Sequence, residues 1–539
     1  MTTAEAVQPA RTSGATIILL TLASGQFLMT LDTSVMNVSI ATVAKDVGTT
    51  VTGIQGAITA YTLVMAALMI TGAKIGALIG RKRAFAIGCI IYGLGSFTTS
   101  IAPNLPVLLF GWSFLEGVGA ALILPAIVAL VAGNFPAERR PAAYGLVAAA
   151  GAIAVAVGPL VGGFATTYFS WRWVFAGEVV IVVAILFLTR RLGDAAPEER
   201  RGLDVVGAVL SATGLALIVY AVLRAGEWGW LQPRAGGPDW AGLSPTIWLE
   251  LGGVFVLWVF TRWEARRQAH GKEPLVRPGM LRNRQLAGGL TMFFFQYLVQ
   301  AGFFFVVPLY LSICLGLSAL ETGARLLPLS ITLLAAAIGI PKLFPDVSPR
   351  LVVRGGLGAM LVGGLVLLGG LTPDAGAEIL LVPLLLVGLG IGALASQLGS
   401  VTVSAVPDDE SPEVGGVQNT MTNLGASLGT ALAGSLLIAT LTTSFAANIQ
   451  ASPAIPAQAK SEAQVELVGG VPFVSDSDLE AALEKEGATS KTTTAAVGAY
   501  QDARITGLRA ALAILSFVAL AGLFVAQLIP KTQPRSASP

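Results

Sequence analysis

Ionisable residues inside long apolar stretches are the first candidates for chemistry in this sequence. Asp32, Glu116 and Glu178 each lie in such a stretch. A charge at the centre of a bilayer costs at least about 2.5–3.5 kcal/mol, so an acid in that environment points to a function. Burial favours the protonated, neutral form of a carboxyl group, and a proton carrier needs that property. For Asp32 the alternative is a structural carboxylate held by hydrogen bonds to Thr33, Asn37 or a facing helix.

The two glutamates admit several roles. Glu116 can titrate with Asp32 as a coupled pair, attract a cationic substrate, or accept a hydrogen bond from Ser113 or Trp112. Glu178 lies near one end of its apolar stretch, where it can relay protons outward or extend to the interface as a snorkelling side chain. All three acids are therefore candidate proton-coupling residues, and the alternatives stay open.

Uncharged polar residues form a second candidate group. Phenylalanines at 293–295 and 303–305 surround two glutamines. A cavity with aromatic walls and a few amides suits amphiphilic molecules better than sugars or phosphates; the alternative is that this Phe-rich stretch faces lipid. The candidate substrate-cavity residues are Asn37, Gln296, Gln300, Gln418, Asn419, Asn423 and Phe303.

Composition places the whole chain in a membrane. Hydrophobic residues make up 54% of the 539 residues and charged residues 12%, whereas a soluble domain carries about 25% charged residues. Apolar runs of about 20 residues recur along the chain, and each is long enough to cross a bilayer. Strand-like alternation is absent, so we expect an all-α membrane protein with the lipid bilayer as its surroundings.

Composition also excludes several classes of function. A net charge of +2 gives no reason to expect a nucleic-acid partner. The single histidine, His270, lies in a basic loop, and Cys89 and Cys314 lie in apolar runs, where they read as small buried hydrophobes. No phosphate-binding glycine-lysine motif is present. We therefore expect no metal site, no cofactor and no enzymatic activity.

Charge asymmetry orients the predicted helices. We predict fourteen membrane-spanning helices, with basic residues concentrated in alternate connections, for example at Arg81, Lys82 and Arg83. The positive-inside rule then places both termini in the cytoplasm of a multi-pass protein in the cytoplasmic (inner) membrane. The longest connection on the other side, 444–503, contains a predicted amphipathic helix at 477–486. That connection is either a cap over a pore or a disordered tether.

Five sequence motifs occur at consistent membrane depths. They are LDTSVMNVSI at 31–40, GAKIGALIGRKR at 72–83, GWSFLEGVGAALILP at 111–125, GPLVGG at 158–163 and GGVQNTMTNLGASLGT at 415–430. Their order and spacing resemble the major facilitator superfamily, specifically its fourteen-span drug:proton antiporter branch. The resemblance covers nearly the whole chain. In that family the acid that matches Asp32 is associated with proton coupling.

The resemblance implies an architecture. It implies the major-facilitator fold, with two six-helix bundles and two additional central helices. We place the N-terminal bundle at 1–189, the two linker helices and a cytoplasmic loop at 190–285, and the C-terminal bundle with the external segment 444–503 at 286–539. Transport in such a fold proceeds by rocking of one bundle against the other around a central site.

Small residues at the end of the second span are candidates for a gate. Glycines recur there every four residues, a spacing that allows helices to approach closely, as a sliding interface between the bundles requires. The family pattern usually has an Asp in this loop, where this chain has Ala77, so the contact that usually latches the bundles is in doubt. The candidate gating residues of this segment are Gly72, Lys74, Gly76, Gly80 and Arg81.

The fifth span contains the other gating candidates, Gly158, Pro159, Gly162 and Gly163. Proline removes a helix hydrogen bond, and glycines admit a neighbouring backbone. In the resembled family this pattern is associated with antiporters more than with uptake carriers, which favours export. A generic kink with close packing would look the same. The fourth span departs from the family, because a usual Arg is replaced here by Ser113.

These features predict a secondary transporter that exports amphiphilic small molecules or drugs in exchange for protons. The alternatives are an exporter of one cellular compound, such as a lipid, siderophore or antibiotic, and a non-transporting receptor or scaffold that retains the fold. A monomer is the simplest expectation for its assembly.

Overall fold

The computed structural model describes residues 12–136, 139–194, 202–234, 237–406, 411–466 and 471–532. Within these ranges the chain is helical, and its sole extended pairing is an isolated bridge between Trp240 and Leu243. The all-α prediction is therefore confirmed for the described residues. The two chain ends that the sequence predicts to be cytoplasmic, 1–11 and 533–539, lie outside them.

The first part of the chain forms seven helices, α4 and α5 being joined end to end by a π-helix at Leu109–Glu116. These helices are α1 (Thr12–Asp46), α2 (Val51–Ile79), α3 (Arg81–Ser100), α4 (Leu105–Leu108), α5 (Gly117–Asn134), α6 (Arg140–Tyr168) and α7 (Arg172–Leu188). We call this set the N-half.

The middle of the chain forms two long helices, α8 (Val205–Trp228) and α9 (Pro245–Ala269). The remainder, which we call the C-half, continues a helical pattern to the last described residues. Its helices are α10 (Arg284–Leu309), α11 (Ala319–Arg325), α12 (Leu327–Leu343), α13 (Pro349–Gly370), α14 (Leu381–Val403), α15 (Ser411–Ala451), α16 (Ala457–Glu466), α17 (Asp476–Lys485) and α18 (Ser490–Val525).

Eleven helical segments are long and apolar enough to cross a membrane, and the bent pair α11–α12 makes a twelfth. The chain is therefore a multi-pass membrane protein. The predicted third and eighth spans are present as helices α3 and α9, but they do not reach the same apolar character. The reason is visible in the sequence, since α3 begins with Arg81, Lys82 and Arg83, and α9 ends in a polar, basic turn.

Gly80 separates α2 from α3 and is a position that requires glycine. Its φ of +99° lies in a region that residues with a Cβ rarely adopt. A Cβ there would also lie 2.8 Å from the Asp194 carboxylate, which accepts a hydrogen bond from the Lys82 backbone N–H at 3.1 Å. We call the side of the molecule that carries this α2–α3 connection the basic side.

The helices pack as two groups that meet along two seams. In the N-half α1 lies on α6, and α3 lies on α5 and α7; in the C-half α10 lies on α15, and α13 lies on α14 and α18. One seam joins α2 to α15, and the other joins α6 to α11. Helix α8 packs on α9 and also contacts both α2 and α15, so the linker pair covers the first seam.

Helices occupy both ends of the predicted external segment 444–503. Helix α15 continues to Ala451, α18 begins at Ser490, and the predicted amphipathic helix is α17, capped by Ser475. Hydropathy underestimates both long helices, because it detects the apolar thickness of a bilayer and not the polar turns beyond it. Residues 467–470 of the segment lie outside the described residues.

The segment just before α17 is docked on α18. Phe473 is fully buried. Tyr500 accepts a hydrogen bond from the Val474 N–H at 2.9 Å and donates one to the Pro472 carbonyl at 2.7 Å. Arg504, only 3% exposed, forms an ion pair with Asp476. Of the two sequence hypotheses, the disordered tether does not describe this part of the segment.

We expect Asp476→Asn to lower the free energy of unfolding by about 1–3 kcal/mol, because it deprives the buried Arg504 guanidinium of its charged partner. The measurement is thermal unfolding of the purified protein in detergent, together with proteolysis of the segment before α17. Glu484→Gln, an exposed acid in α17, is the matched control and should leave both unchanged. Equal unfolding temperatures for the two variants would contradict this account of the docking.

Candidate functional site

The three candidate acids meet inside the N-half. Asp32 on α1, Glu116 at the end of the π-helix and Glu178 on α7 each place a carboxylate oxygen within 4.8 Å of the others. All three side chains are buried, with at most 1% exposed. We call these three residues the carboxylate cluster.

Asp32 is held by an indole. The Trp112 Nε1–H points at the carboxylate and lies 2.9 Å from each of its oxygens. The Trp112 ring stacks on Tyr61 of α2, with ring centroids 5.2 Å apart and planes inclined by 12°. For Asp32 the sequence left Thr33, Asn37 or a facing helix as the source of hydrogen bonds, and in the structure the donor is on a facing helix. Trp112 was a candidate donor to Glu116 and donates to Asp32.

The two glutamates are only half satisfied. Glu116 Oε1 accepts a hydrogen bond from Thr99 at 3.2 Å. Glu178 Oε2 accepts hydrogen bonds from Tyr92 at 3.3 Å and Ser96 at 3.1 Å. The second oxygen of each glutamate is buried and has no hydrogen-bond partner among the described residues. A buried polar atom without a partner is costly, so these oxygens are where a proton would complete the site.

The π-helix places two members of this site on one face. Its wider, i→i+5 turn occurs between α4 and α5; Trp112 on it reaches Asp32 of α1, and Glu116 at its end reaches Thr99 of α3. Such segments are rare and are frequent at functional sites. Ser113, at the position of the family's usual Arg, donates a hydrogen bond to the Ala57 carbonyl of α2 at 2.8 Å. The site is therefore built with neutral donors where a cation is usual.

The expectation of no metal site was based on the single histidine and the two cysteines in apolar runs, which offer no ligand set. The structure adds a different possibility, because three carboxylate oxygens within 4.8 Å of one another are close enough to share a small cation as well as a proton. At about 4 Å and an effective dielectric constant of 20, two like charges repel by ~4 kcal/mol. Full ionisation of the cluster is therefore unfavourable, whichever positive species neutralises it.

The amides of the second candidate group lie in the C-half, on α10 and α15. Gln418 accepts a hydrogen bond from Thr402 of α14 at 2.8 Å, and Asn423 donates to the Asn419 carbonyl at 2.9 Å. Gln296 and Gln300 each have a buried side-chain oxygen with no hydrogen-bond partner in the part of the chain that the structure describes. The acids thus belong to the N-half and the amides of α10 and α15 to the C-half, whereas Asn37, the remaining candidate amide, lies with the acids on α1.

Two other predicted cavity residues are buried. Asn37 is 9% exposed on α1. Phe303 is 1% exposed, and its ring lies beside Gly364 of α13. Because of this contact, Phe303 contributes to the hydrophobic core of the C-half.

The glycines of α2 do not lie between the halves as predicted. A Cβ on Gly72 would strike the Ala121 carbonyl of α5, and one on Gly76 would lie 3.5 Å from Ala84 of α3. Both contacts are inside the N-half. Beside these glycines it is Ala73 that approaches the C-half, where it lies next to Gly416 of α15. The spacing correctly predicted close helix packing, but the neighbouring helices are α5 and α3 of the N-half and not a helix of the C-half. A glycine pattern indicates that some helix approaches closely and does not identify which one.

Of the three candidate glycines of α6, Gly163 reaches across a seam. Gly158 packs on Ser34 and Gly162 on Val35, both on α1. Gly163, in contrast, faces the C-half, and a Cβ there would lie 2.5 Å from the Ala319 carbonyl oxygen of α11. Likewise, a Cβ on Gly323 of α11 would lie 2.2 Å from the Pro159 carbonyl oxygen.

Comparison with known proteins assigns the family. A family model described as Major Facilitator Superfamily matches residues 22–430. The chain belongs to the major facilitator superfamily.

Two curated relatives within the superfamily are named for resistance to, or transport of, antibiotics. The puromycin resistance protein pur8 of Streptomyces alboniger is 33% identical over 79% of this chain and 81% of its own length. The probable actinorhodin transporter of Streptomyces coelicolor is 30% identical over 78% of this chain and 72% of its own.

A solved structure shares the fold. The crystal structure of a bacterial homologue of the human lysosomal transporter Spinster, in an inward-facing and unoccupied conformation, superposes with a TM-score of 0.59 at 12% identity. The superposition covers 96% of this chain and 98% of that one. This superfamily fold is therefore present across nearly the whole chain.

Sequence reasoning missed the residues that complete the carboxylate cluster. Tyr61, Tyr92, Ser96 and Thr99 supply its aromatic stack and hydroxyl donors. Each is a polar or aromatic side chain within an apolar helix, and that feature was the available signal. Their convergence on three acids from other helices depends on the packing of the superfamily fold and is not visible in spacing along the chain.

The close approach of α6 and α11 yields a test. We expect Gly163→Ala to destabilise the protein by about 1–3 kcal/mol, the usual cost of overpacking, since its methyl group would meet backbone atoms. Gly145→Ala is the matched control on the same helix, because a Cβ at Gly145 meets nothing within 4 Å. The readout is the unfolding temperature in detergent. An unchanged Gly163→Ala protein would show that this seam is looser than the structure has it.

Proposed function

We propose that this protein is a secondary active transporter that exports amphiphilic small molecules in exchange for protons by alternating access. The observation that carries the proposal is the meeting of Asp32, Glu116 and Glu178 in one buried cluster. Their hydrogen-bond donors among the described residues are neutral side chains. No ion pair from the described part of the chain reaches any of the three.

Electrostatics gives the cluster its role. Three ionised carboxylates at this spacing repel one another, and removing each from water is costly in itself. Binding a proton relieves both costs, and releasing one restores them. The cluster therefore prefers different surroundings in its protonated and ionised states, and this difference can drive a conformational equilibrium.

A short path connects the cluster to the seam between the halves. Tyr61, stacked on Trp112, lies two residues from Thr59 on α2, whose carbonyl accepts a hydrogen bond from Ser427 of α15 at 2.9 Å. On the same pair of helices Gln55 donates to the Thr430 carbonyl at 3.1 Å. A change in the Asp32–Trp112 contact can therefore shift α2 against the C-half.

The direction and the substrate class rest on further observations. Export is supported by relatives named for resistance to puromycin and for transport of actinorhodin and by the glycine-rich pattern of α6. Amphiphilic substrates are supported by the partner-free amide oxygens of Gln296 and Gln300 among aromatic residues of α10. We assign contact with substrate to these two and to Asn37, Gln418, Asn419 and Asn423.

The topology of the proposal follows the sequence predictions. The protein lies in the inner membrane, its basic side faces the cytoplasm, and both termini lie on that side. Helices α3 and α9 complete a set of fourteen spans. The two six-helix bundles are 1–189 and 286–539, and the linker pair lies within 190–285. The molecule works as a monomer.

The second candidate is an exporter of one specific compound. It is favoured by the names of the relatives, of which one refers to puromycin and another to actinorhodin. Competition between chemically unrelated amphiphiles for the same transport step distinguishes the two candidates, because a narrow exporter would ignore all but one class.

In proteoliposomes with an imposed pH gradient, we expect Asp32→Asn to reduce gradient-driven movement of a fluorescent lipophilic cation at least about tenfold. A fixed neutral amide cannot take up or release a proton, and a tenfold change corresponds to ~1.4 kcal/mol. Glu116→Gln and Glu178→Gln should also reduce coupled movement. Glu480→Gln, an exposed acid of α17, is the control and should retain the wild-type rate.

Replacing the proton gradient by a sodium gradient distinguishes the coupled ion. Transport driven by sodium alone would reject protons as the driver. Undiminished proton-driven transport by well-folded Asp32→Asn would reject the role of that residue.

A further inference from the structure

The connection between α9 and α10 is fixed to the linker helices. We call residues 272–277 the strap. Glu264 of α9, 1% exposed, accepts hydrogen bonds from the strap through the Leu275 N–H at 2.6 Å and the Val276 N–H at 3.4 Å. These two bonds hold the strap backbone against the end of α9 on the basic side.

A second anchor involves α8. Arg267 donates to the Glu273 carbonyl at 3.4 and 3.2 Å through two of its nitrogens. The same guanidinium pairs with Asp204 at 3.0 Å, and Asp204 caps α8 by accepting from the Gly207 N–H at 3.0 Å. The strap is thus fastened to both linker helices.

From this fixed position the strap reaches both halves. Glu273 forms an ion pair with Lys74 of α2, in the N-half, with side chains 19% and 15% exposed. Four residues later, the Arg277 N–H donates to Glu413 of α15 at 2.9 Å, and its Nε lies 3.6 Å from the other carboxylate oxygen. The strap contributes the acidic residue to the contact with α2 and the basic residue to the contact with α15. Through these two ionic contacts it bridges the two helices.

Apolar packing reinforces the contact with the C-half. Val276 and Met280 are buried. Together they form a cluster with Leu286, Leu290, Val414 and Val417, and Ile70 of α2 packs on its edge. This apolar contact and the peptide chain both tie the strap to the C-half. Among the contacts of the described residues, the Lys74–Glu273 ion pair is therefore one that the N-half must break to move away from the strap.

The strap also lines a cavity that Ala77 of α2 lines from the other side. The cavity has a volume of about 110 Å³, and Lys74, Ala77, Glu273 and Glu413 are among its lining residues. Ala77 stands where the superfamily pattern usually has an Asp. In this chain the carboxylates in that cavity come instead from the strap and from α15.

We propose that the strap is a latch that closes the basic side of the transporter, with Glu273 supplying the carboxylate that Ala77 lacks. Alternating access, on which this inference rests, requires α2 and α15 to separate on this side. The latch opens when Lys74 leaves Glu273, while the Glu264 and Glu413 contacts keep the strap in place. A single partly buried ion pair biases this equilibrium and still breaks in every cycle.

The test measures exposure of the cavity and does not depend on transport. Ala77→Cys is introduced into a Cys89→Ala/Cys314→Ala background of the full-length protein, and the rate of alkylation by a hydrophilic maleimide is measured in nanodiscs. We expect Glu273→Gln to raise the rate about fivefold, equivalent to ~1 kcal/mol. The charge-swapped pair Lys74→Glu with Glu273→Lys should restore it to within about twofold of the parent.

Two further variants make the result specific. Asp346→Asn, an exposed acid in the connection between α12 and α13, is the matched control and should label like the parent. Glu413→Gln should also accelerate labelling, because it releases the other end of the strap. Size-exclusion profiles and unfolding temperatures establish that each variant is folded.

The outcomes are separable from those for the proposed function. Unchanged labelling in folded Glu273→Gln, or a swapped pair that labels as fast as Lys74→Glu alone, would overturn the latch. Faster labelling with rescue by the swap would support the latch even if no tested compound were transported, in which case the failure would belong to the proposed function.

Discussion

The arrangement of the N-half depends on one constraint, that three carboxylates share a small volume from which water is excluded. Asp32, Glu116 and Glu178 come from three separate segments, and each receives hydrogen bonds from neutral donors. Those donors depend on the π-helix, which carries Trp112 and Glu116, and on the close packing of α3 on α5 and α7. The site is therefore assembled by helix packing, and it would be lost if any of these helices slid by a turn.

The same helices that build the cluster also form the moving surfaces. Helix α1, which carries Asp32, fits against α6 at Gly158 and Gly162, and the next glycine, Gly163, meets the C-half. Helix α2 carries Tyr61 beneath Trp112 and faces α15 through Ala73. A proton that alters the contacts of one cluster residue thus acts on an element that contacts the opposite half. Coupling of this kind needs two alternative packings of the seam, and small residues on both sides allow them.

Sequence alone was sufficient for the elements and insufficient for their partners. An acid in an apolar helix is conspicuous, so Asp32, Glu116 and Glu178 could be selected individually; their meeting could not, because it depends on how α1, α5 and α7 cross. The glycines of α2 were recognised by spacing but placed at the wrong interface, since a helix has several faces and the pattern labels one without naming its neighbour. The connection 444–503 was predicted too long, because hydropathy identifies only the helical residues that lie within the bilayer. Helices α15 and α18 continue beyond it through alanine- and threonine-rich turns.

Replacing a membrane arginine by Ser113 changes what the cluster can do in the proposed mechanism. A fixed guanidinium beside the acids would compensate their charge whether or not a proton were bound, and so would weaken the difference between the two states. The indole of Trp112 and the hydroxyls of Tyr92, Ser96 and Thr99 carry no net charge. They orient the carboxylates without neutralising them, so that the negative charge of the cluster is neutralised only by the proton that binds and leaves. In the proposed latch, the carboxylate that the family pattern has at position 77 is likewise supplied by Glu273 of the strap. In both departures from the family pattern, a charge that would be fixed on a helix of the N-half is replaced by a partner that can dissociate, the proton in one case and the strap in the other.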